Sequence, residues 1–60
     1  MPEKLTVVAK PRAEIFLVSR YRIGDENTTL IEHYTTRFGY DYERHEEPGG
    51  AVTWYRVKRV

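Results

Sequence analysis

The 60-residue sequence contains no cysteine. No disulfide can therefore brace the fold, and no thiolate can bind zinc. This absence suits a reducing compartment, so we predict a cytoplasmic protein. Long hydrophobic runs are also missing: the longest, residues 15–18, is far short of the ~20 residues of a membrane-spanning helix. We expect no membrane association and no signal peptide.

An excess of charge of one sign is missing as well, since the net charge is only +1. The distribution along the chain is less even. Residues 51–60 carry three cations and no acid, whereas residues 40–50 carry four acids and one arginine. Pairing of opposite charges across neighbouring strands is sufficient to explain this pattern and would fix the strand register.

The length of the chain limits the number of domains and the size of the hydrophobic core. Sixty residues, 40% of them hydrophobic and 32% charged, predict a single small domain over residues 1–60. A chain of this size buries only ~60% of the surface that its unfolded form exposes, so its core is small. A homodimer is one way to enlarge that core.

The N-terminal third favours strands. Residues 5–9 are short, apolar and β-branched, and Pro11 interrupts them. Either they pair with the next strand as a hairpin, which we favour, or the whole region is one bent edge strand. Residues 13–23 form the best central strand. Strict alternation puts one set of its side chains on one face and the other set on the opposite face: Ile15, Leu17, Tyr21 and Ile23 against Phe16, Val18, Arg20 and Arg22.

Local signals next predict a turn at residues 24–27 and a helix over residues 29–38. Thr29 and Glu32 have the spacing of a capping box. An apolar stripe recurs at the helical period: Leu30, Ile31, Tyr34 and Phe38. Gly39 suits the position just after a helix, because glycine readily adopts positive φ.

A β-hairpin is predicted over residues 39–60, with its turn at Pro48, Gly49 and Gly50. Its expected core side is formed by Tyr40, Tyr42, Tyr55 and Val57. The predicted fold class is therefore α+β: an antiparallel sheet of three or four strands, in the order (β)β-α-β-β, with the helix packed on one face.

Residues that could carry chemistry lack the context it requires. His33 and His45 have no further ligands at zinc spacing, and Ser19 lies on a strand rather than at a nucleophile elbow. Gly49 and Gly50 lack the lysine and the helix of a phosphate-binding loop. Glutamates near the turn are typical of a solvated edge: Glu43, Glu46 and Glu47. We predict no catalytic residue, no metal site, no cofactor and no enzymatic activity.

Aromatic and basic residues on strands indicate a binding surface. Trp54, Arg56 and Lys58 share one side of the last strand, and Arg20 and Arg22 share one side of the central strand. If these sides coincide, they form a basic face able to bind single-stranded nucleic acid by stacking and charge. The small net charge and the adjacent acidic arm weigh against that hypothesis.

A protein partner is the function that these residue types favour first. Trp, Tyr and Arg are enriched at interface hot spots. We therefore predict a small non-enzymatic protein that acts by protein–protein contact through the same five residues. Its size is typical of phage or accessory proteins that inhibit or modulate a larger host complex. Single-stranded nucleic-acid binding is the alternative, and a homodimer formed through the edge of the last strand is a third hypothesis.

Overall fold

A computed structural model describes the backbone of residues 3–59 and the side chains of residues 4–58. It contains five strands: β1 (Glu3–Val8), β2 (Ile15–Ile23), β3 (Thr29–Thr36), β4 (Asp41–Glu46) and β5 (Val52–Arg59). All neighbours pair antiparallel in one sheet with the order β1-β5-β4-β3-β2. The only helical segment within residues 3–59 is a short 3-10 turn, Asp25–Asn27, at the predicted turn. The chain is an all-β domain.

The predicted helix over residues 29–38, and with it the α+β class, is wrong. Residues 29–36 form β3, which pairs with β2 on one side and β4 on the other. Four of these eight residues are threonine or isoleucine, which favour strands. A ten-residue helix is only marginally stable by itself, whereas a central strand satisfies its backbone groups along both edges. Tertiary pairing therefore overrides the helical stripe.

The end of the predicted helix forms a turn instead, whereas the capping-box residues Thr29 and Glu32 lie within β3. Thr36 is almost fully buried, and its hydroxyl accepts hydrogen bonds from the backbone N–H groups of Phe38 and Tyr40, at 3.3 and 3.2 Å. Gly39 does adopt positive φ, at 85°, but it does so in the connection from β3 to β4. The same backbone conformation thus terminates a strand rather than a helix.

β4 and β5 form the C-terminal hairpin expected from the turn at residues 48–50. The backbone N–H of Glu47 donates to the carbonyl of Ala51, and Gly50 closes the turn with φ of 93°. The expected core side is wrong, however. Tyr42 lies opposite Arg56, and Tyr55 lies opposite Glu43, so the two tyrosines are on different faces.

β1 covers most of the predicted strand at residues 5–9, but it pairs with β5 rather than with β2. The favoured N-terminal hairpin is therefore wrong. β1 and β2 lie at opposite edges of the sheet, about 19 Å apart for four strand spacings. The connection through residues 9–14 can reach roughly 23 Å when extended, so it is long enough to cross the end of the sheet.

A bulge in β2 changes which side chains share a face. Leu17 lies opposite Tyr34 and Ser19 lies opposite His33, so Val18 is an extra residue in the ladder. The expected alternation through residues 15–23 is therefore wrong. Residues 15 and 17 share a face with Arg20 and Arg22, whereas Tyr21 and Ile23 are on the other face.

Few side chains are fully covered, as expected for one sheet with no second layer. Among the described residues only Leu30, Ile31 and Thr36 are buried, and all three are on β3. The smallest extent of the molecule is 19 Å, much more than a flat sheet would give, as expected for a twisted sheet. Ile31 lies between Tyr21 on β2 and His45 on β4, and it is only 1% exposed although no helix covers it.

Candidate nucleic-acid interface

The strand register assigns the side chains to two faces. We name the first the basic face, and it consists of Lys4, Thr6, Val8, Ile15, Leu17, Arg20, Arg22, Leu30, Glu32, Tyr34, Thr36, Tyr42, Arg44, Glu46, Val52, Trp54, Arg56 and Lys58. We name the second the acidic face, and it consists of Leu5, Val7, Phe16, Ser19, Tyr21, Ile23, Thr29, Ile31, His33, Thr35, Asp41, Glu43, His45, Thr53, Tyr55 and Val57.

Charge is segregated between these faces. The basic face carries six lysines and arginines and two carboxylates, a net charge of +4. The acidic face as defined carries two carboxylates, Asp41 and Glu43, and neither lysine nor arginine. The near-neutral chain therefore presents one strongly positive surface, which its net charge of +1 conceals.

Aromatic rings lie in the middle of the basic face. Tyr34 on β3 is directly opposite Tyr42 on β4, and the ring centroids of Tyr34 and Trp54 are 5.7 Å apart at an interplanar angle of 38°. All three side chains are half-buried, so part of each ring faces solvent. Tyr40 extends this row beyond the end of β4, where the Arg56 guanidinium lies 4.8 Å from its ring centroid.

Arg44 bridges both carboxylates of the basic face. One of its guanidinium nitrogens, Nη1, lies 3.0 Å from Glu32 Oε1 and 2.9 Å from Glu46 Oε1. The hydrogen bond to Glu46, followed by that to Glu32, raises the pKa of Arg44, so it stays protonated. Burial, and then the hydrogen bond from its hydroxyl to Glu32, raises the pKa of Tyr34 above its usual range.

The five predicted site residues all lie on the basic face, in two groups. Trp54, Arg56 and Lys58 are on β5, and Arg20 and Arg22 are on β2. The groups are three strand spacings apart, about 14 Å, and do not contact each other. Tyr34, Tyr42 and Arg44 lie between them. All four cations are exposed, whereas Trp54 is half-buried against Tyr34.

Sequence reasoning missed the residues that join the two groups. Helical periodicity places Tyr34 on an apolar stripe and strand alternation places Tyr42 on the core side, and neither pattern indicates Arg44 as a site residue. The signal that could have found them was the β-branched composition of residues 28–36. Once this segment is a strand, Tyr34 and Tyr42 belong to one surface.

The acidic face holds the two histidines beside carboxylates. His45 Nε2 lies 2.8 Å from Glu43 Oε1, and the His45 ring packs 4.5 Å from the ring of Tyr55. His33 Nε2 is 3.8 Å from Asp41 Oδ2, beyond hydrogen-bond distance. Among the described residues, no group of three or more histidine, cysteine, aspartate or glutamate side chains could hold a metal ion.

No family model matches the chain, and comparison with curated proteins and with solved structures gives no match either. Across residues 3–59, no helix is long and apolar enough to cross a membrane. The last strand, which the homodimer hypothesis required to be an edge, pairs with both β1 and β4. Dimerisation by edge pairing of β5 is therefore wrong, and the edges of the described sheet are β1 and β2.

Proposed function

We propose that the protein is a non-enzymatic binding protein whose basic face binds single-stranded nucleic acid. One observation carries the proposal: a half-exposed aromatic row on the basic face has exposed cations on both sides. Bases stack on such rings whatever their sequence, while lysine and arginine contact the phosphates. A cysteine-free chain is compatible with action in the cytoplasm, where we propose that it binds its ligand.

The segregation of charge between the two faces supports placing nucleic-acid binding before contact with a protein. The acidic arm at residues 40–47 lies beside the basic strand in the sequence-based prediction, and this weighs against nucleic acid. Asp41 and Glu43 belong to the opposite face, and Glu46 is paired with Arg44. The electrostatic objection is therefore confined to the end of the basic face where Glu46 and Glu47 lie. Contact with another protein through this face stays a prediction, and it is the alternative outcome of the following experiment.

The test is a titration of the protein with oligothymidylate and oligouridylate of about twelve nucleotides, within the usual site size of 4–16. Trp54 is the only tryptophan, so its fluorescence reports directly on the aromatic row. We expect quenching at low salt. Because each neutralised phosphate contributes about −0.7 to the dependence of log K on log salt, Arg20→Gln with Arg56→Gln should flatten the slope by about 1.4.

The matched control is Lys10→Gln with Arg12→Gln. It removes the same charge from the exposed connection between β1 and β2 and should leave the slope and the quenching nearly unchanged. Absence of binding to every strand at low salt overturns the proposal and returns the protein-contact hypothesis to first place. Equal losses in the two variants also overturn it, because binding would then depend on total charge and not on the basic face.

A further inference from the structure

A cavity lies at one end of the basic face. Arg22, Leu30 and Glu46 form one row across β2, β3 and β4, and the cavity is completed by Thr28, Glu47 and Pro48. Its volume is about 250 Å³. This is below the ~300 Å³ at which sites for drug-sized ligands begin, so the cavity suits a group of the size of one base rather than a whole nucleotide.

The lining of this cavity combines an apolar wall with both kinds of polar group. Leu30, 9% exposed, forms the apolar part together with Pro48. Arg22 and Thr28 supply donors, whereas Glu46 and Glu47 supply carboxylate acceptors. A phosphate would be repelled by two carboxylates, so this end of the face is chemically different from the cations farther along the sheet.

The carboxylates keep acceptor capacity for a ligand. Glu46 uses Oε1 to bind Arg44, and Glu47 uses Oε1 to accept from the Thr29 hydroxyl, at 2.9 and 3.2 Å. Within the described chain neither Oε2 atom accepts a hydrogen bond, and an ionised carboxylate has about four acceptor positions in total. Arg44 also holds Glu46 in place, since the same guanidinium is fixed by Glu32.

The base edges differ in what they offer a carboxylate. Guanine presents two adjacent donors, N1–H and the N2 amine. Adenine and cytosine each present one donor beside a ring-nitrogen acceptor, and uracil or thymine presents one donor between two carbonyl oxygens. Only guanine gives a carboxylate two parallel hydrogen bonds without an opposing lone pair. Its O6 atom then requires a donor, which Arg22 and Thr28 supply.

We propose that this cavity binds one unstacked guanine base of the strand on the basic face, through the carboxylates of Glu46 and Glu47. The inference rests on the proposed function, because it assigns a base preference to the same surface. The protein would then bind any single strand by stacking and charge, and would bind a guanine-containing strand more tightly.

The test compares oligothymidylate of about twelve nucleotides with strands in which one internal thymidine is replaced by guanosine, inosine, adenosine or cytidine. A good bidentate base contact discriminates by about 5- to 150-fold, so we expect guanosine to tighten binding within that range. Inosine lacks the N2 amine and should lose most of the gain. Adenosine and cytidine should bind like thymidine.

Glu46→Gln with Glu47→Gln should abolish the guanosine preference, because an amide cannot accept two parallel hydrogen bonds. Added positive charge will tighten binding to every strand, so the measured quantity is the ratio of guanosine to thymidine affinity. Glu14→Gln with Glu26→Gln removes the same charge at exposed positions outside the cavity and should preserve the ratio. Circular dichroism checks that both variants fold.

Two failures are distinguishable. If oligothymidylate binds but the single guanosine changes its affinity less than about twofold, the cavity proposal is overturned and the proposed function stands. A guanosine preference that survives in the Glu46→Gln, Glu47→Gln variant also overturns the cavity proposal. If none of the strands binds at low salt, the proposed function itself fails, and the cavity proposal fails with it.

Discussion

β2 and β3 are neighbours in the chain and in the sheet, but they have opposite environments. β2 is the more hydrophobic, with six hydrophobic residues among nine, whereas β3 has three among eight. Yet eight residues of β2 are exposed and none of β3 is. β3 has strands on both sides, and β2 has one on a single side. In a one-layer protein, position in the sheet determines burial more than hydrophobicity does.

The largest effect should come from truncating isoleucines on the two strands. Ile31 on β3 is 1% exposed and Ile23 on β2 is 47% exposed, and both are on the acidic face. Ile31→Ala should lower the free energy of unfolding by about 2–5 kcal/mol, because it leaves a cavity at the most covered position. A domain of this size has only ~3–9 kcal/mol in total.

Ile23→Ala is the matched variant, and it should cost less than ~1 kcal/mol because half of that side chain is already in water. Urea denaturation followed by circular dichroism measures both changes. Equal destabilisation by the two substitutions would contradict the view that position in the sheet sets their burial.

A smaller effect is expected from the two arginines that flank Glu32. Arg44 on β4 and Arg20 on β2 both lie opposite Glu32, but the hydrogen bond to Glu32 comes from Arg44. The Glu32 side chain is 12% exposed, so losing its partner leaves a poorly hydrated carboxylate. Arg44→Met should therefore lower the free energy of unfolding by about 1–3 kcal/mol, and Arg20→Met by no more than ~0.5 kcal/mol.

Thermal unfolding at low salt measures both arginine variants. Adding Glu32→Gln to Arg44→Met should recover part of the loss, because the charge that had lost its partner is removed. If Arg20→Met lowers the free energy of unfolding as much as Arg44→Met, the arginine on the edge strand is as important to the fold as the one on the interior strand. That result would contradict the difference between edge and interior positions.

The stability of the protein at alkaline pH should depend on Tyr34 of the interior strand β3. The pKa of Tyr34 is raised by burial and by its hydrogen bond to Glu32. Because the folded state holds this proton more tightly than the unfolded state, the contribution is complete below about pH 10 and is lost as the pH rises through the raised pKa. Stability should fall over that range, and Tyr34→Phe should reduce the fall.

Absorbance at 295 nm follows this ionisation directly. The component that titrates at the highest pH should disappear in Tyr34→Phe. Tyr21 is 49% exposed on β2, so Tyr21→Phe should leave that component in place. If Tyr21→Phe also loses this component, the interior position of Tyr34 on β3 does not protect the Tyr34 hydroxyl from ionisation.

The smallest expected effect is in the connection between the two strands. Glu26 adopts a left-handed conformation with φ of 60°, which asparagine tolerates better than glutamate. Glu26→Asn should raise the free energy of unfolding by about 0.5 kcal/mol. Asp25→Asn removes the same charge from a residue without positive φ and serves as the control in chemical denaturation. A gain of equal size from Asp25→Asn would assign the effect to charge alone.

Prediction from sequence succeeded where local chemistry decides the structure. The turn at residues 24–27 and the hairpin around Gly50 follow from the backbone freedom of glycine, and both are present. The predicted helix failed because Leu30, Ile31, Tyr34 and Phe38 fit a helical stripe, while the deciding interaction is with strands that lie elsewhere in the sequence. Pairing of β1 with β5 is equally non-local.

The candidate site was predictable only in pieces. The types of residue at positions 54, 56 and 58 suggested a binding surface, and alternation alone placed them on one side of β5. Whether Arg20 and Arg22 join them depends on three consecutive strand registers and on an extra residue in β2. Neither can be read from composition, so the charge segregation between the faces emerged only with the fold.

The extra residue in β2 also affects how the chain tolerates deletions. In a regular strand, deletion of one residue moves every side chain beyond it to the opposite face of the sheet. β2 has nine residues against eight in β3, so deletion of Val18 would leave the remaining pairs intact, with Arg20 and Arg22 on their present side. What such a deletion would remove is an irregular edge, which discourages strands of other molecules from adding to the sheet. The extra residue therefore matters more to the solubility of the protein than to the orientation of the β2 side chains.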